Sequence, residues 1–97
     1  MRYEFTGVLW RSPGPGGWRF VTLPTDLSAR IRKLAGAMMN AFGSLRVTAI
    51  IGDAQWKTSL FMDTKRNAFL LPVKADVRRK AVLADGDMVD VRLELDI

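Results

Sequence analysis

The chain has 97 residues, 48% hydrophobic and 26% charged, the balance of one ordinary globular domain rather than of a disordered tail or a membrane protein. It contains no cysteine and no histidine, which excludes disulfides, Cys/His zinc sites, cysteine nucleophiles and every histidine-based triad. The formal net charge of +5 is compatible with an anionic partner, and because Asp85, Asp87, Asp90, Glu94 and Asp96 face only Arg92 near the C-terminal end, the rest of the chain is more basic than the total suggests.

No apolar run of signal-peptide or membrane-span character follows Met1, so a single cytoplasmic domain over residues 1–97 without membrane contact is expected. Tyr3, Phe5 and Leu9 recur with the period of a strand, and "RSPGPGG" then supplies residues that end a ladder. Extended structure resumes from Trp18 to Leu23, giving an antiparallel hairpin with a flexible tip, and Pro24 stops the second strand. Thr25 is placed to cap a helix with Asp26 in its first turn; Leu27, Ile31, Leu34 and Met38 recur at helical spacing. Arg30, Arg32 and Lys33 occupy the other face, Gly36 leaves the helix end open by a turn, and Ala41–Ser44 supplies the stop.

Leu45, Val47, Ala49 and Ile51 alternate in a third strand that ends near "GDAQ". In a fourth, Trp56, Thr58, Leu60 and Met62 share one face and Gln55, Lys57, Ser59 and Phe61 the other. "DTKRN" is a polar turn, and Ala68–Leu71 is a short apolar strand. A basic helix with Lys74, Arg78, Arg79 and Lys80 follows, and Gly86 between Asp85 and Asp87 makes a tight turn into a last strand. There Val89, Val91, Leu93 and Leu95 oppose Asp90, Arg92, Glu94 and Asp96. "VTLP", helix, Gly, strand is echoed by "LLP", helix, Gly, strand. This pseudo-two-fold repeat, with six strands and two short helices, predicts a mainly β fold, a small six-stranded barrel that removes its sheet edges by closing.

Chemistry is sparse. The favoured reading of the fourth strand is a plain barrel strand with Trp56 in the core; the alternative is that Lys57 and Ser59, on one strand face, meet a phosphate or carboxylate while Trp56 on the opposite face packs or stacks. A Ser59/Lys57 dyad lacks any sign of an oxyanion hole. Lys74 and Arg78 are four apart, on one face if the helix already includes Lys74, and with Arg79 and the first helix's cations they form one basic surface provided both helices lie on the same side. The alternative is two solvated helix faces, with Arg78 bonding carbonyls or Asp87. "GPGG" lacks the Gly-Lys-Ser/Thr ending of a phosphate loop, and the carboxylates lack the spacing of a calcium loop. No catalytic set, metal site or cofactor is predicted. The expected role is a binding module for an anionic ligand or a protein partner, with a DNA- or RNA-binding domain and an enzyme of unrecognised type as alternatives.

"WRFVTLP", "IIGDAQWKTSLF", "LLPVKADVRR" and "DGDMVDVRLEL" resemble the bacterial family of domain of unknown function 1905, which implies a barrel of the double-split type and no assigned activity. More distantly, "VRRKAVLADGD" is similar to the Leu-Arg-x-x-Leu-Gly-x-x-x-Gly-Asp turn of AbrB-like regulators, which bind DNA as swapped dimers. Val77, Arg78, Gly86 and Asp87 fit that pattern, whereas Ala81 and Val82 stand where it has Leu and Gly.

Overall fold

The computed structural model describes residues 1–39 and 43–95. Six strands, β1 (Arg2–Arg11), β2 (Arg19–Thr22), β3 (Ser44–Ile51), β4 (Ala54–Asp63), β5 (Ala68–Pro72) and β6 (Met88–Leu95), close into one barrel in the order β1-β2-β5-β4-β3-β6. Every neighbouring pair is antiparallel. Helix α1 (Thr25–Ala35), extended by a 3-10 turn at Gly36–Met38, links β2 to β3, and α2 (Ala75–Ala81) links β5 to β6. The predicted architecture is therefore the observed one.

Strict alternation explains the closure. On β6, Val89, Val91, Leu93 and Leu95 are buried while Asp90 and Arg92 are exposed. Across the β3–β4 ladder Leu45, Val47, Ala49 and Ile51 lie opposite Leu60, Thr58, Trp56 and Ala54, so both strands send one row into the same core. Gly52, at φ 56°, makes the two-residue turn between them. Phe69, Leu71, Leu9, Val21 and Leu93 fill the middle with no accessible surface, each such side chain contributing about 1.5–3 kcal/mol by leaving water.

Two ladders part early. β4 pairs with β3 from Ala54 to Phe61 but with β5 only from Phe61 to Asp63; β1 pairs with β6 from Arg2 to Val8 but with β2 only from Leu9 to Arg11. The short strands β2 and β5 pair with each other instead, Val21 opposite Leu71. Leu23 N–H donates to Phe69 O at 2.9 Å and Val73 N–H to Arg19 O at 3.0 Å, a symmetric pair of bonds at the two ends of that short ladder. The helices consequently leave from opposite ends of the β2–β5 pair.

Two sequence expectations need correction, and the structure adds a detail to the pseudo-repeat. Pro24, not Thr25, is the N-cap of α1; Thr25 is already helical and its side chain makes no capping bond. Leu34 and Met38 are exposed, because the buried stripe of α1 runs through Leu27, Ser28, Ile31 and Ala35. The Ser28 hydroxyl accepts the Phe69 N–H at 3.0 Å, which fixes the helix's rotation and turns Leu34 outward. Finally, the two prolines of the pseudo-repeat are not equivalent: α1 starts immediately after Pro24, whereas Pro72 closes β5 and Lys74 is the extended N-cap of α2. The helix stop assigned to Ala41–Ser44 lies partly, and Asp96 wholly, outside the described residues.

Candidate functional site

Where β4 and β5 diverge, a cavity of about 550 Å³ opens between the β4 edge and the β5–α2 junction, within the usual size range of ligand sites. One wall is four consecutive β4 residues, Trp56, Lys57, Thr58 and Ser59. The facing wall is Pro72, Val73, Lys74, Ala75 and Arg78, and the β1–β2 loop covers the mouth with Gly16, Gly17 and Trp18. Arg46 enters from β3 because it pairs directly with Ser59, which places both on the outer face of the ladder, with Lys57 two residues along on the same face.

The lining is cationic: among the described residues it includes Arg19, Arg46, Lys57, Lys74 and Arg78 and no carboxylate. Two of these charges are committed. Arg19 Nε meets Asp85 Oδ1 at 2.9 Å and its guanidinium also donates to Gly17 O, while Arg78 Nη1 donates to Val73 O at 2.6 Å. The hydrogen bond from Arg19 holds the Asp85 carboxyl below its ordinary pKa, against a smaller opposing effect of desolvation. Asp63, at the β4–β5 turn, is lowered in the same way by Arg66. Arg46, Lys57 and Lys74 take part in no ion pair among the described residues. Aromatic surface accompanies them: Trp18 is 63% and Phe61 44% exposed, and Trp56 packs partly against the core.

Five of the six residues singled out from the sequence thus meet here, Trp56, Lys57, Ser59, Lys74 and Arg78. Arg79 does not: it points to a neighbouring depression with Val82 and Leu83 and pairs with Asp76 on the helix surface. Lys74 reaches the cavity as an extended N-cap rather than as part of the helix. Arg78 bonds a carbonyl, as one sequence alternative held, while the Asp87 carboxylate accepts the Ala84 N–H. The first helix's cations do not join Lys74 and Arg78 in this cavity: Arg32 and Lys33 of α1 line a separate depression beside Met62 and Asn67 at the other end of β5.

Sequence reasoning missed Arg46, Arg19, Trp18 and Phe61. Arg46 breaks no alternation, and its approach to Ser59 depends on the β3–β4 register, which only the tight turn at Gly52 announces. A second groove, lined by Glu4, Thr6, Asp90 and Arg92, is already satisfied internally: Arg92 bonds Glu4 at 3.2 Å and Thr6 bonds Asp90 at 2.9 Å. Among the described residues no cluster of ligating side chains could hold a metal ion, and no helix is long and apolar enough to cross a membrane.

A family model described as a domain of unknown function, DUF1905, matches residues 5–93, nearly the whole barrel. The chain belongs to the DUF1905 family. A comparison with curated proteins gives no match. The matched DUF1905 region contains both halves of the barrel and every residue of the cavity.

Proposed function

We propose that this DUF1905 chain is a non-catalytic binding module that holds an anionic ligand in the cleft between β4 and β5. The observation that carries the reading is the cationic lining: Arg46, Lys57 and Lys74 converge on one cavity, and no carboxylate stands among its described walls. Like charges gathered at a partly enclosed site repel one another, and an anion relieves that repulsion while exchanging its hydration for charge-assisted hydrogen bonds. Ser59 and Thr58 add hydroxyl donors, and Trp56 and Trp18 supply flat apolar surface for the rest of the ligand. Catalysis finds little support, because the chain has no histidine and no described residue of the cavity is a carboxylate that could accept the Ser59 proton.

Amide-shift NMR titration with inorganic phosphate, simple dicarboxylates and a short DNA duplex tests the proposal. The small anions should shift Arg46, Lys57, Ser59 and Lys74, and Lys57→Glu should abolish those shifts while leaving the rest of the spectrum in place. Shifts at Arg30, Arg32 and Lys33 with the duplex alone would transfer the functional surface to α1 and support nucleic-acid binding instead.

A further inference from the structure

A pocket on one face of a strand is lined by alternate residues, because successive side chains point to opposite faces. This cavity is lined by four residues in succession, Trp56 to Ser59, so it runs along the edge of β4 rather than over a face. Among the described residues that edge is unpaired rather than bare: on the side away from β3, β4 meets β5 only at Phe61, Met62 and Asp63, and beyond them α2 stands across the cavity from it. In an antiparallel strand alternate residues direct both N–H and C=O to the same side. Between Gln55 and Leu60, every second residue therefore turns its main-chain donor and acceptor toward the cavity, where no strand of the described residues pairs with it.

We propose that the ligand of this cavity is an extended acidic polypeptide segment that enters between β4 and α2 and adds to the unpaired edge of β4 as a further antiparallel or parallel strand. The inference rests on the anion-binding reading above and specifies its ligand. Strand addition uses main-chain hydrogen bonds for affinity and alternate side-chain positions for selectivity. Here the two faces differ in character. On the outer face Lys57, Ser59 and Arg46 meet carboxylates at every second position of the added strand, and on the inner face Trp56 and Thr58 meet small apolar residues at the positions between. Trp18 and Phe61 at the mouth cover the flank of such a strand. A lysine on an open edge also discourages pairing with a second copy of the same chain; a carboxylate-bearing strand is the kind it admits.

The test uses the full chain, isotope-labelled, with the blocked peptide Glu-Val-Glu-Val-Glu, two forms of it N-methylated on the amides of one edge or the other, a Lys-Val-Lys-Val-Lys control, and inorganic phosphate. The parent peptide should bind, slow hydrogen exchange at alternate amides between Gln55 and Leu60, and lose affinity by about tenfold or more when one edge is N-methylated but not the other. The lysine peptide should not bind. Equal affinity of all three acidic peptides, or shifts with phosphate and none with peptide, overturns strand addition and leaves the anion site standing. Silence of both phosphate and peptides removes the anion site as well.

Discussion

Val82 ends α2 at φ 56° and ψ 57°, a left-handed conformation, with 85% of its surface exposed. Its N–H bonds Arg79 O and the next N–H, of Leu83, bonds Arg78 O, the cap that glycine usually provides. A β-branched residue there costs about 1–2 kcal/mol against glycine, less the extra freedom that glycine has in the unfolded chain. Val82→Gly should therefore raise stability by up to about 1 kcal/mol, a gain of about 4–8 °C in Tm for a domain of this size; a lower Tm would show that the valine methyls make contacts worth more than the strain. Gly7 is the opposite case. A Cβ there would lie 2.7 Å from Val21 Cγ1 and 3.2 Å from Thr22 O, and Val21 is fully buried with no room to retreat. Gly7→Ala should cost about 1–3 kcal/mol in a urea titration, with Val21→Ala in the same background recovering part of the loss. The sequence shows Gly7 only as a gap in a strand pattern, since the neighbour that needs the space is distant in the chain.

At the scale of elements, β6 was fully legible because alternation is a local property, and the same residues that alternate are buried. The rotation of α1 was not, because a helical stripe permits several faces and a polar contact chose among them: buried Ser28 receives the Phe69 N–H. Ser28→Ala leaves that main-chain donor without a partner in the core and should cost about 1–3 kcal/mol, read from chemical denaturation. A loss below a few tenths of that would show Phe69 N–H bonding elsewhere. The contact between β2 and the α2–β6 turn depends on pH through Asp85, whose carboxyl is held below its ordinary pKa by Arg19. An unfolded aspartate titrates at about 3.9, so the pair's contribution is complete above that pH and is lost as pH falls through the lower folded value. Arg19→Met should move the Asp85 carboxyl midpoint upward toward the unperturbed value in an NMR titration, and no movement would mean that the pair is absent in solution. Of the cavity, the sequence showed the β4 and α2 walls, since those cations and hydroxyls lie close together in the chain. Arg46 and Trp18 were hidden because where a ladder ends is set by two strands together.

For the whole molecule, the pseudo-repeat has a mechanical consequence. The first half supplies β1, β2, α1 and β3, and the second supplies β4, β5, α2 and β6. Only β1–β2 and β4–β5 pair within a half, each through three residue pairs, whereas β1–β6, β2–β5, β3–β4 and β3–β6 all cross between halves. An isolated short hairpin is marginal at best in water, and each half alone would expose the apolar row that its counterpart buries. Cutting the chain at the exposed turn between Gly52 and Asp53 should therefore give two fragments, 1–52 and 53–97, that lack cooperative structure separately and regain the barrel when mixed in equal amounts. The reconstituted form should melt at a temperature that rises with concentration, because folding has become association. Circular dichroism decides it: a cooperative, concentration-independent melt of either fragment alone would show that half of this barrel holds together without the ladders that cross between the halves.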